Sequence, residues 1–190
     1  MKEIANFLFE VGILSKTPRS WPPFLGSGKQ SVAEHINRVV FIGYSLASVE
    51  KADVGKVMKM CLFHDMAESR VSDLNYVHQK YVKSEEQKVI NELSQSLSFG
   101  ADISEIIKEY EERKTKESLL AKDADNLEFI LSLKEQIDVG NKRAESWMKS
   151  ALKRLKTDIG KKVAEEILKT DSDEWWFGNK EDDWWVNRNK

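Results

Sequence analysis

A histidine and an aspartate stand side by side at the end of an apolar run, in the stretch CLFHDMAESRVSDL at residues 61–74. A buried face would not ordinarily end on His64 and Asp65, because burying ionisable groups is costly unless they are paired. Residues three and four apart share one helix face, so we expect His64 and Glu68 to lie on the same side, with Asp73 just beyond the helix end. The spacing predicts a cluster of one imidazole and several carboxylates.

Two other stretches carry residues of the same kind. The sequence SVAE before His35 is a capping box, in which Ser31 caps a helix and Glu34 reaches back to it. His35 is therefore expected in the first or second turn of that helix. The sequence AKDADNLEF puts Asp123 and Asp125 inside an otherwise apolar helix. At about 100° per residue their side chains diverge by about 200°, so the two cannot both serve one site.

A divalent cation would explain why imidazoles and carboxylates are gathered in apolar surroundings. Buried carboxylates without positive partners take up protons, and a cation removes that difficulty. Two neutral imidazoles and two carboxylates suit six-coordinate Mn²⁺, Co²⁺, Fe²⁺ or Mg²⁺, with positions left for water and a substrate oxygen. A structural zinc site would more often use cysteines, and Cys61 is the single cysteine. An isolated His–Asp pair is common by chance, so the prediction depends on the whole ordered pattern. His78, the third histidine, is expected at the surface.

Composition limits the classes of function. The net charge of −2 over 190 residues gives no electrostatic reason to expect binding to nucleic acid or to a membrane. The start, MKEIANFLFEVGILSK, is too polar for a signal peptide, and no apolar run approaches the roughly 20 residues that span a bilayer. One cysteine in an apolar stretch favours a reducing compartment. We expect a cytoplasmic protein that acts on a small molecule.

The elements that hold these residues are predicted to be helices. All three prolines lie between Pro18 and Pro23, and apolar residues recur at spacings of three and four along most of the chain. The pattern predicts a single all-α domain, a bundle of about seven helices over residues 1–170, in which one long helical segment runs from about Ala144 to Leu168. The main loop covers residues 16–30. Residues 171–190 form a Trp-rich tail that should pack on the body or on a partner subunit.

The order of three stretches, VAEHINRV, CLFHDMAESRVSDL and EYEERKTKESLLAKDADNLEF, resembles the HD-domain metal-dependent phosphohydrolases. More narrowly, it is similar to the subfamily of 5′-deoxynucleotidases, over roughly residues 15–135. The resemblance implies four metal ligands, namely His35, His64, Asp65 and Asp125. Glu68 matches the family's catalytic glutamate, and Asp73 matches the second acid downstream of it.

Two assignments depend on how closely the motifs match. KDADNLE fits the family's closing motif with its second aspartate as ligand, which selects Asp125 and makes Asp123 a helper or a partner of a nearby cation. The family also has an arginine directly before a Trp–Pro pair, used for phosphate and sugar recognition, whereas PRSWPP has Ser20 inserted between Arg19 and Trp21. Either Arg19 still reaches the phosphate or another cation, Lys29 or Arg38, replaces it. For Trp21 a substrate contact and simple loop packing are weighed equally.

The resemblance implies an enzyme that converts deoxyribonucleoside 5′-monophosphates to deoxynucleosides and phosphate, with a divalent metal as cofactor and a homodimer as its assembly. One alternative is an HD-domain hydrolase of another nucleotide: a phosphodiester, a triphosphate or a ribonucleotide. A second alternative is a non-catalytic, metal-binding nucleotide sensor. Having both Glu68 and Asp73 argues against the sensor, because a binding module needs no catalytic acids.

Overall fold

Helices make up most of the part of the chain that the computed structural model describes, which comprises residues 1–179, 181, 182, 184 and 187. Two 3₁₀ helices cover Gly12–Ser15 and His78–Lys80. The α-helices of the described residues are α1 Lys2–Val11, α2 Pro22–Leu25, α3 Val32–Glu50, α4 Val54–Phe63, α5 Glu68–Val71, α6 Glu86–Ser96, α7 Gly100–Glu112, α8 Lys116–Asp138, α9 Lys142–Leu152, α10 Asp158–Lys169 and α11 Glu174–Phe177.

The predicted all-α class is confirmed. Within the described residues eight helices have ten residues or more, beside the seven or so expected, and α2, α5 and α11 are single turns. The prediction of one helical segment from Ala144 to Leu168 is wrong, because the chain breaks between α9 and α10. Thr157 caps α10 there by accepting a hydrogen bond from the backbone N–H of Gly160 at 3.0 Å.

Helix α8 lies in the centre of the bundle and packs against α3, α4, α7, α9 and α10. It is apolar on several sides, since Leu120, Ala124, Leu127 and Ile130 are all buried. An acid on one of the buried faces of this helix is removed from water, so it needs a partner within the protein or a ligand. The helix that carries Asp125 is therefore a rigid part of the core.

Helices α3 and α4 approach each other closely at a glycine. A Cβ atom at Gly43 would lie 2.5 Å from the sulfur of Cys61, so only glycine allows this contact. Burial raises the pKa of the Cys61 thiol to about 12, which makes it a packing residue rather than a metal ligand. The contact brings the first turn of α3, which carries His35, to the same end of the bundle as the last turn of α4. His64 directly follows that last turn.

A second apolar cluster anchors the chain directly after α4. Met66 and Ala67 are buried there against Val32 and Ile36 of α3. Their burial turns the chain back toward α3 instead of letting α4 continue. This cluster thereby fixes the segment that carries the His–Asp pair.

The tail leaves the bundle after α10. The backbone N–H of Ser172 donates to a carboxylate oxygen of Asp138 at 2.9 Å, while Trp175 on α11 is 85% exposed. Trp185 lies outside the described residues, and the predicted division into a body of residues 1–170 and a tail stays a prediction. Among the described helices, none combines the length and the hydropathy that a membrane span requires.

Candidate active site

The His–Asp pair lies in a turn between two helices. Helix α4 ends at Phe63 and α5 begins at Glu68, so the expectation that His64 and Glu68 share a face of one helix is wrong. The backbone N–H of Met66 donates to the carbonyl of Phe63 at 3.0 Å and tightens the turn. Within this turn a carboxylate oxygen of Asp65 comes to 3.3 Å from Nε2 of His64.

Both imidazoles of the cluster are anchored through Nδ1. Nδ1 of His35 lies 2.7 Å from a carboxylate oxygen of Glu128, and Nδ1 of His64 lies 2.9 Å from the carbonyl oxygen of Cys61. Since these oxygens accept hydrogen bonds, each Nδ1 carries the proton and each Nε2 presents a lone pair. The two Nε2 atoms face each other at 3.3 Å, an arrangement that a proton or a cation between them stabilises.

Two carboxylates complete the cluster. The Asp125 carboxylate lies 3.2 Å from Nε2 of His35 and 3.9 Å from Nε2 of His64. The Asp65 carboxylate lies 3.5 Å from Nε2 of His35. Ligand atoms of His35, His64 and Asp125 all fall within 4.8 Å of one another. Neighbouring ligands of one ion, each about 2.1 Å from it, are about 3 Å apart, so the donor set fits a divalent cation.

The charges of the cluster also suit a cation. Burial alone would raise the pKa of Asp125, but Lys122 and the two imidazoles hold it well below its usual range. Burial opposes a charge on His35, yet hydrogen bonds to Asp125 and Glu128 raise its pKa to about 9. Carboxylates that stabilise a positive imidazole here would stabilise a metal ion at the same position.

The arginine before Trp21 lies inside the cleft despite the inserted serine. Nη1 of Arg19 is 3.0 Å from the Asp65 carboxylate, 3.1 Å from that of Asp73 and 3.8 Å from that of Glu68. Ser20 donates to Asp73 twice, from its backbone N–H at 3.0 Å and from its hydroxyl at 2.8 Å. These hydrogen bonds from the extra residue to Asp73 hold the loop in place, so Arg19 keeps its position in the cleft.

The two other candidate cations lie elsewhere. Arg38 donates to Glu128 at 2.7 Å and to Ser132 at 2.7 Å, and it is not among the residues that line the cleft. Lys29 lines a shallow groove beside α2 with Pro22 and neighbouring loop residues. Of the three cations weighed for phosphate binding, Arg19 is the one beside the predicted ligands.

Glu68 is a partly buried acid, and one of its carboxyl oxygens lacks a hydrogen-bond partner. Burial and the nearby carboxylates of Asp65 and Asp73 raise the pKa of Glu68 to about 10, so its carboxyl group holds a proton. One Glu68 oxygen, like Nε of Arg19, is buried without a hydrogen-bond partner in the described part of the chain. Buried polar atoms nearly always have hydrogen-bond partners. The Glu68 oxygen and Nε of Arg19 therefore favour a ligand that supplies those partners.

Asp123, by contrast, lies away from the cleft. It is fully buried, and its carboxylate accepts hydrogen bonds from the backbone N–H of Lys156 at 2.9 Å and of Thr157 at 2.7 Å. The expectation that Asp123 assists the site or pairs with a nearby cation is therefore wrong. Its partners are the backbone donors at the start of α10.

Sequence reasoning missed three residues that position the cluster. Glu128 stands in the quoted motif, and its complete burial against His35 could have been inferred from its place in an apolar run. Lys122, three residues before Asp125, donates to that carboxylate at 2.8 Å, and the hydroxyl of Tyr110 donates to it at 3.2 Å. No sequence signal pointed to Tyr110, because it comes from another helix.

The cluster forms the floor of a cleft of about 610 Å³. Trp21 forms part of its wall and packs edge-on against Phe129, with ring centroids 5.8 Å apart. The chain thus brings all eight predicted site residues together: six of them line the cleft, and His35 and His64 contact Asp125 and Asp65 at its floor. Their individual roles stay predictions.

Comparison with known proteins agrees with this geometry. A family model described as the HD domain matches residues 11–168. This chain belongs to the HD-domain family. The resemblance inferred from the motifs is thereby confirmed at the level of the family, and the match extends beyond the motifs to α10.

Relatives with curated names share this domain. A 5′-deoxynucleotidase from Dictyostelium discoideum is 37% identical over 119 residues, which cover 56% of this chain and 62% of that protein. A 5′-deoxynucleotidase from Schizosaccharomyces pombe is 31% identical over 143 residues, 70% of this chain and 71% of that one. The match therefore spans less than two thirds of the Dictyostelium protein.

The fold also occurs in solved structures. A conserved hypothetical protein from Pyrococcus furiosus superposes with a TM-score of 0.74 at 29% sequence identity, over 87% of this chain and 99% of that one. The helical arrangement around the cleft is thus shared over almost the whole of a natural protein.

Proposed function

We propose that this protein is a metal-dependent phosphomonoesterase that hydrolyses deoxyribonucleoside 5′-monophosphates to deoxynucleosides and phosphate. The observation that carries the proposal is the convergence of two imidazoles and two carboxylates beside the partly buried Arg19. The names of the Dictyostelium and Schizosaccharomyces relatives support the choice of substrate.

Four side chains would hold the metal: His35, His64, Asp65 and Asp125. A bound divalent ion supplies Lewis acidity toward a phosphoryl oxygen and lowers the pKa of a bound water. The mixed nitrogen and oxygen donors suit Mn²⁺, Co²⁺, Fe²⁺ or Mg²⁺. Glu128 and the Cys61 carbonyl fix the two imidazole rings so that each keeps an Nε2 lone pair for the ion.

Arg19 would bind the phosphate group of the substrate. Its guanidinium is planar and donates in pairs, which matches two phosphoryl oxygens. Its contacts with Asp65 and Asp73 hold it at the floor of the cleft before substrate arrives. Trp21 would contact the substrate beside it, since its ring forms the adjacent wall.

Glu68 would act as the proton donor to the leaving 5′ oxygen. It lies outside the proposed ligand set, and its protonated carboxyl has an unpaired oxygen in the cleft. Proton transfer by a positioned carboxyl contributes typically 10²–10⁴-fold to a rate. Asp73 would orient Arg19, and through it the attacking water or a sugar hydroxyl.

The third histidine offers a matched control for the metal site. His64→Ala should lose the bound metal and the release of phosphate from deoxyribonucleoside monophosphates, whereas His78→Ala, at an exposed position, should keep both. Metal content by elemental analysis and phosphate release after EDTA treatment and reloading with Mn²⁺ or Co²⁺ measure the two effects.

Phosphate release from ribonucleotides alone would contradict the proposed deoxyribonucleotide substrate. Pyrophosphate release from triphosphates would instead favour the alternative of a hydrolase that acts on another nucleotide. Metal binding without turnover of any nucleotide would favour a sensor. Equal metal loss in His64→Ala and His78→Ala would contradict the ligand assignment itself.

We also propose a cytoplasmic homodimer with the tail at or near its interface. The buried, unpaired Cys61 agrees with a reducing compartment. Phe9 is 80% exposed, Phe41 68% and Trp175 85%, and large exposed aromatic side chains are favoured at subunit contacts. The mass of the full chain in solution, compared with that of residues 1–170, tests this assembly.

A further inference from the structure

The cleft has a second half that the hydrolytic chemistry leaves without a role. Its floor carries acids and Arg19, but toward the mouth its lining changes to Leu74, Tyr76, Leu119, Phe129 and Arg154. A volume of about 610 Å³ falls in the range of 300–1,000 Å³ typical of small-molecule sites, and a phosphate group would fill only a small part of it. The remainder must receive the organic part of a substrate.

Helix α8 connects the two halves. Phe129 lies four residues after Asp125, so the two side chains share one face of the helix about 6 Å apart along its axis. Phe129 is half-buried and leaves ring surface toward the cleft. A ligand whose phosphate group lies beside Asp125 therefore meets Phe129 one helical turn farther out.

Arg154 joins two aromatic rings at the mouth. It lies just after α9, and its guanidinium carbon is 5.7 Å from the ring centroid of Phe129 and 5.9 Å from that of Tyr76. One of its terminal nitrogens donates to the Tyr76 hydroxyl at 2.7 Å. The ring of Tyr76 comes from the loop after α5 and is 54% exposed. Three elements distant in sequence thus present two rings and a planar cation at one opening.

The surroundings of Arg154 differ from those of Arg38 and Arg70. Arg38 and Arg70 each pair with two carboxylates. For Arg154 no carboxylate lies within ion-pair distance in the described residues, and the Tyr76 hydroxyl uses one of its five N–H donors. Its remaining donors and its planar face are available to a ligand.

We propose that Tyr76, Phe129 and Arg154 form the subsite for the nucleobase, an inference that rests on the proposed function. Aromatic rings and a guanidinium plane offer stacking to any planar heterocycle, and the arginine donors suit base carbonyl and ring nitrogen acceptors. Every base has such a face, so the subsite strengthens nucleotide binding while it discriminates little between bases.

The test removes the base from the substrate. Arg154→Ala and Tyr76→Ala should each lower kcat/KM for the four deoxyribonucleoside monophosphates on the order of ten-fold, as expected for loss of a stacking partner, mainly through KM. Hydrolysis of 2-deoxyribose 5-phosphate, which has the same phosphate and sugar but no base, should change less than two-fold. Phosphate release is the readout for both substrates.

Three further variants separate stacking from charge. Arg154→Lys keeps the charge but lacks the planar guanidinium, so it should behave like Arg154→Ala. Tyr76→Phe keeps the ring and should retain most of the affinity. Lys149→Ala removes a cation from the last turn of α9 outside the cleft and should match the unaltered protein.

An equal loss on both substrates, or none on either, overturns the base subsite and leaves the proposed function intact. If no monophosphate is hydrolysed by the unaltered protein, the proposed function fails instead. A binding measurement then decides the subsite separately: Arg154→Ala should weaken the binding of a deoxynucleoside about ten-fold and leave that of inorganic phosphate unchanged. Unchanged binding of the deoxynucleoside would refute it.

Discussion

Asp123 and Asp125 leave α8 on opposite sides and meet different neighbours. The Asp123 carboxylate is fully buried among hydrogen-bond donors, two backbone N–H groups and the hydroxyl of Thr157 at the start of α10. Asp125 faces a cleft that also holds Asp65, Glu68 and Asp73. The Asp123 carboxylate is satisfied entirely by hydrogen-bond donors of the protein, whereas the Asp125 carboxylate, which accepts from Lys122 and Tyr110, also faces the Nε2 atoms of two imidazoles.

The difference teaches how to separate a structural acid from a functional one. A buried carboxylate surrounded by donors is compensated in the folded chain and contributes to stability. Carboxylates gathered around two imidazole lone pairs repel those lone pairs until a proton or a cation lies between them. Asp123 is fully buried and the Asp125 side chain is 18% exposed, but both lie largely out of water, and it is the neighbouring groups that distinguish their roles. Three predictions test this contrast.

The largest effect is expected when each aspartate loses its charge. Asp125→Asn should reduce bound metal from one ion per chain toward zero and phosphate release to background, with little loss of folding stability. Asp123→Asn turns an acceptor into a donor that faces N–H groups, so its free energy of unfolding should fall by about 1–3 kcal/mol while metal binding persists. Elemental analysis and chemical denaturation measure both. Metal loss in Asp123→Asn alone would reverse the contrast.

Glu68 tests whether an acid on the cleft side can be needed for turnover without holding the metal. Glu68→Gln keeps the shape of the side chain but cannot deliver a proton, so kcat should fall by about 10²–10⁴-fold at unchanged metal content. Single-turnover phosphate release with the metal-loaded variant measures the loss. A variant of full activity would remove Glu68 from the mechanism, and a metal-free variant would move it to the ligand set.

The smallest effect is expected at Glu128, which touches the site through His35. In Glu128→Gln the amide must turn a donor either toward His35 or toward Arg38, so the imidazole loses its fixed tautomer or the arginine loses its acceptor. Metal affinity should fall by about 10–100-fold. Glu135→Gln is the matched control, because Glu135 also binds Arg38 but does not touch His35. Equal effects in both variants would assign the loss to Arg38.

Much of the site could be predicted because its signals are local. The capping box at Ser31 and Glu34 formed as expected and put His35 in the first turn of α3. The order of the histidines and aspartates selected side chains that do converge. The turn after Phe63 was missed, because HDMAE is compatible with a continuing helix and only the burial of Met66 and Ala67 against α3 ends it.

Other features depended on residues far apart in the chain. Whether Arg19 reaches the cleft past the inserted Ser20 was open, and Asp73 decides it through two hydrogen bonds across 53 positions. The partner of Asp123 could not be inferred either, since the start of α10 follows 33 positions later. Arg154 gave no local signal at all, because its rings come from α8 and from the loop after α5.

The sequence by itself determined the helical class, the family and the identity of the side chains that gather at the cleft, because periodicity, caps and short motifs are properties of neighbouring residues. Only the tertiary structure decided which buried acid is compensated by backbone donors, which arginine lies beside the proposed ligands and which rings line the mouth. Those outcomes depend on distances between helices, and the pairing of a buried charge is fixed only when the helices pack.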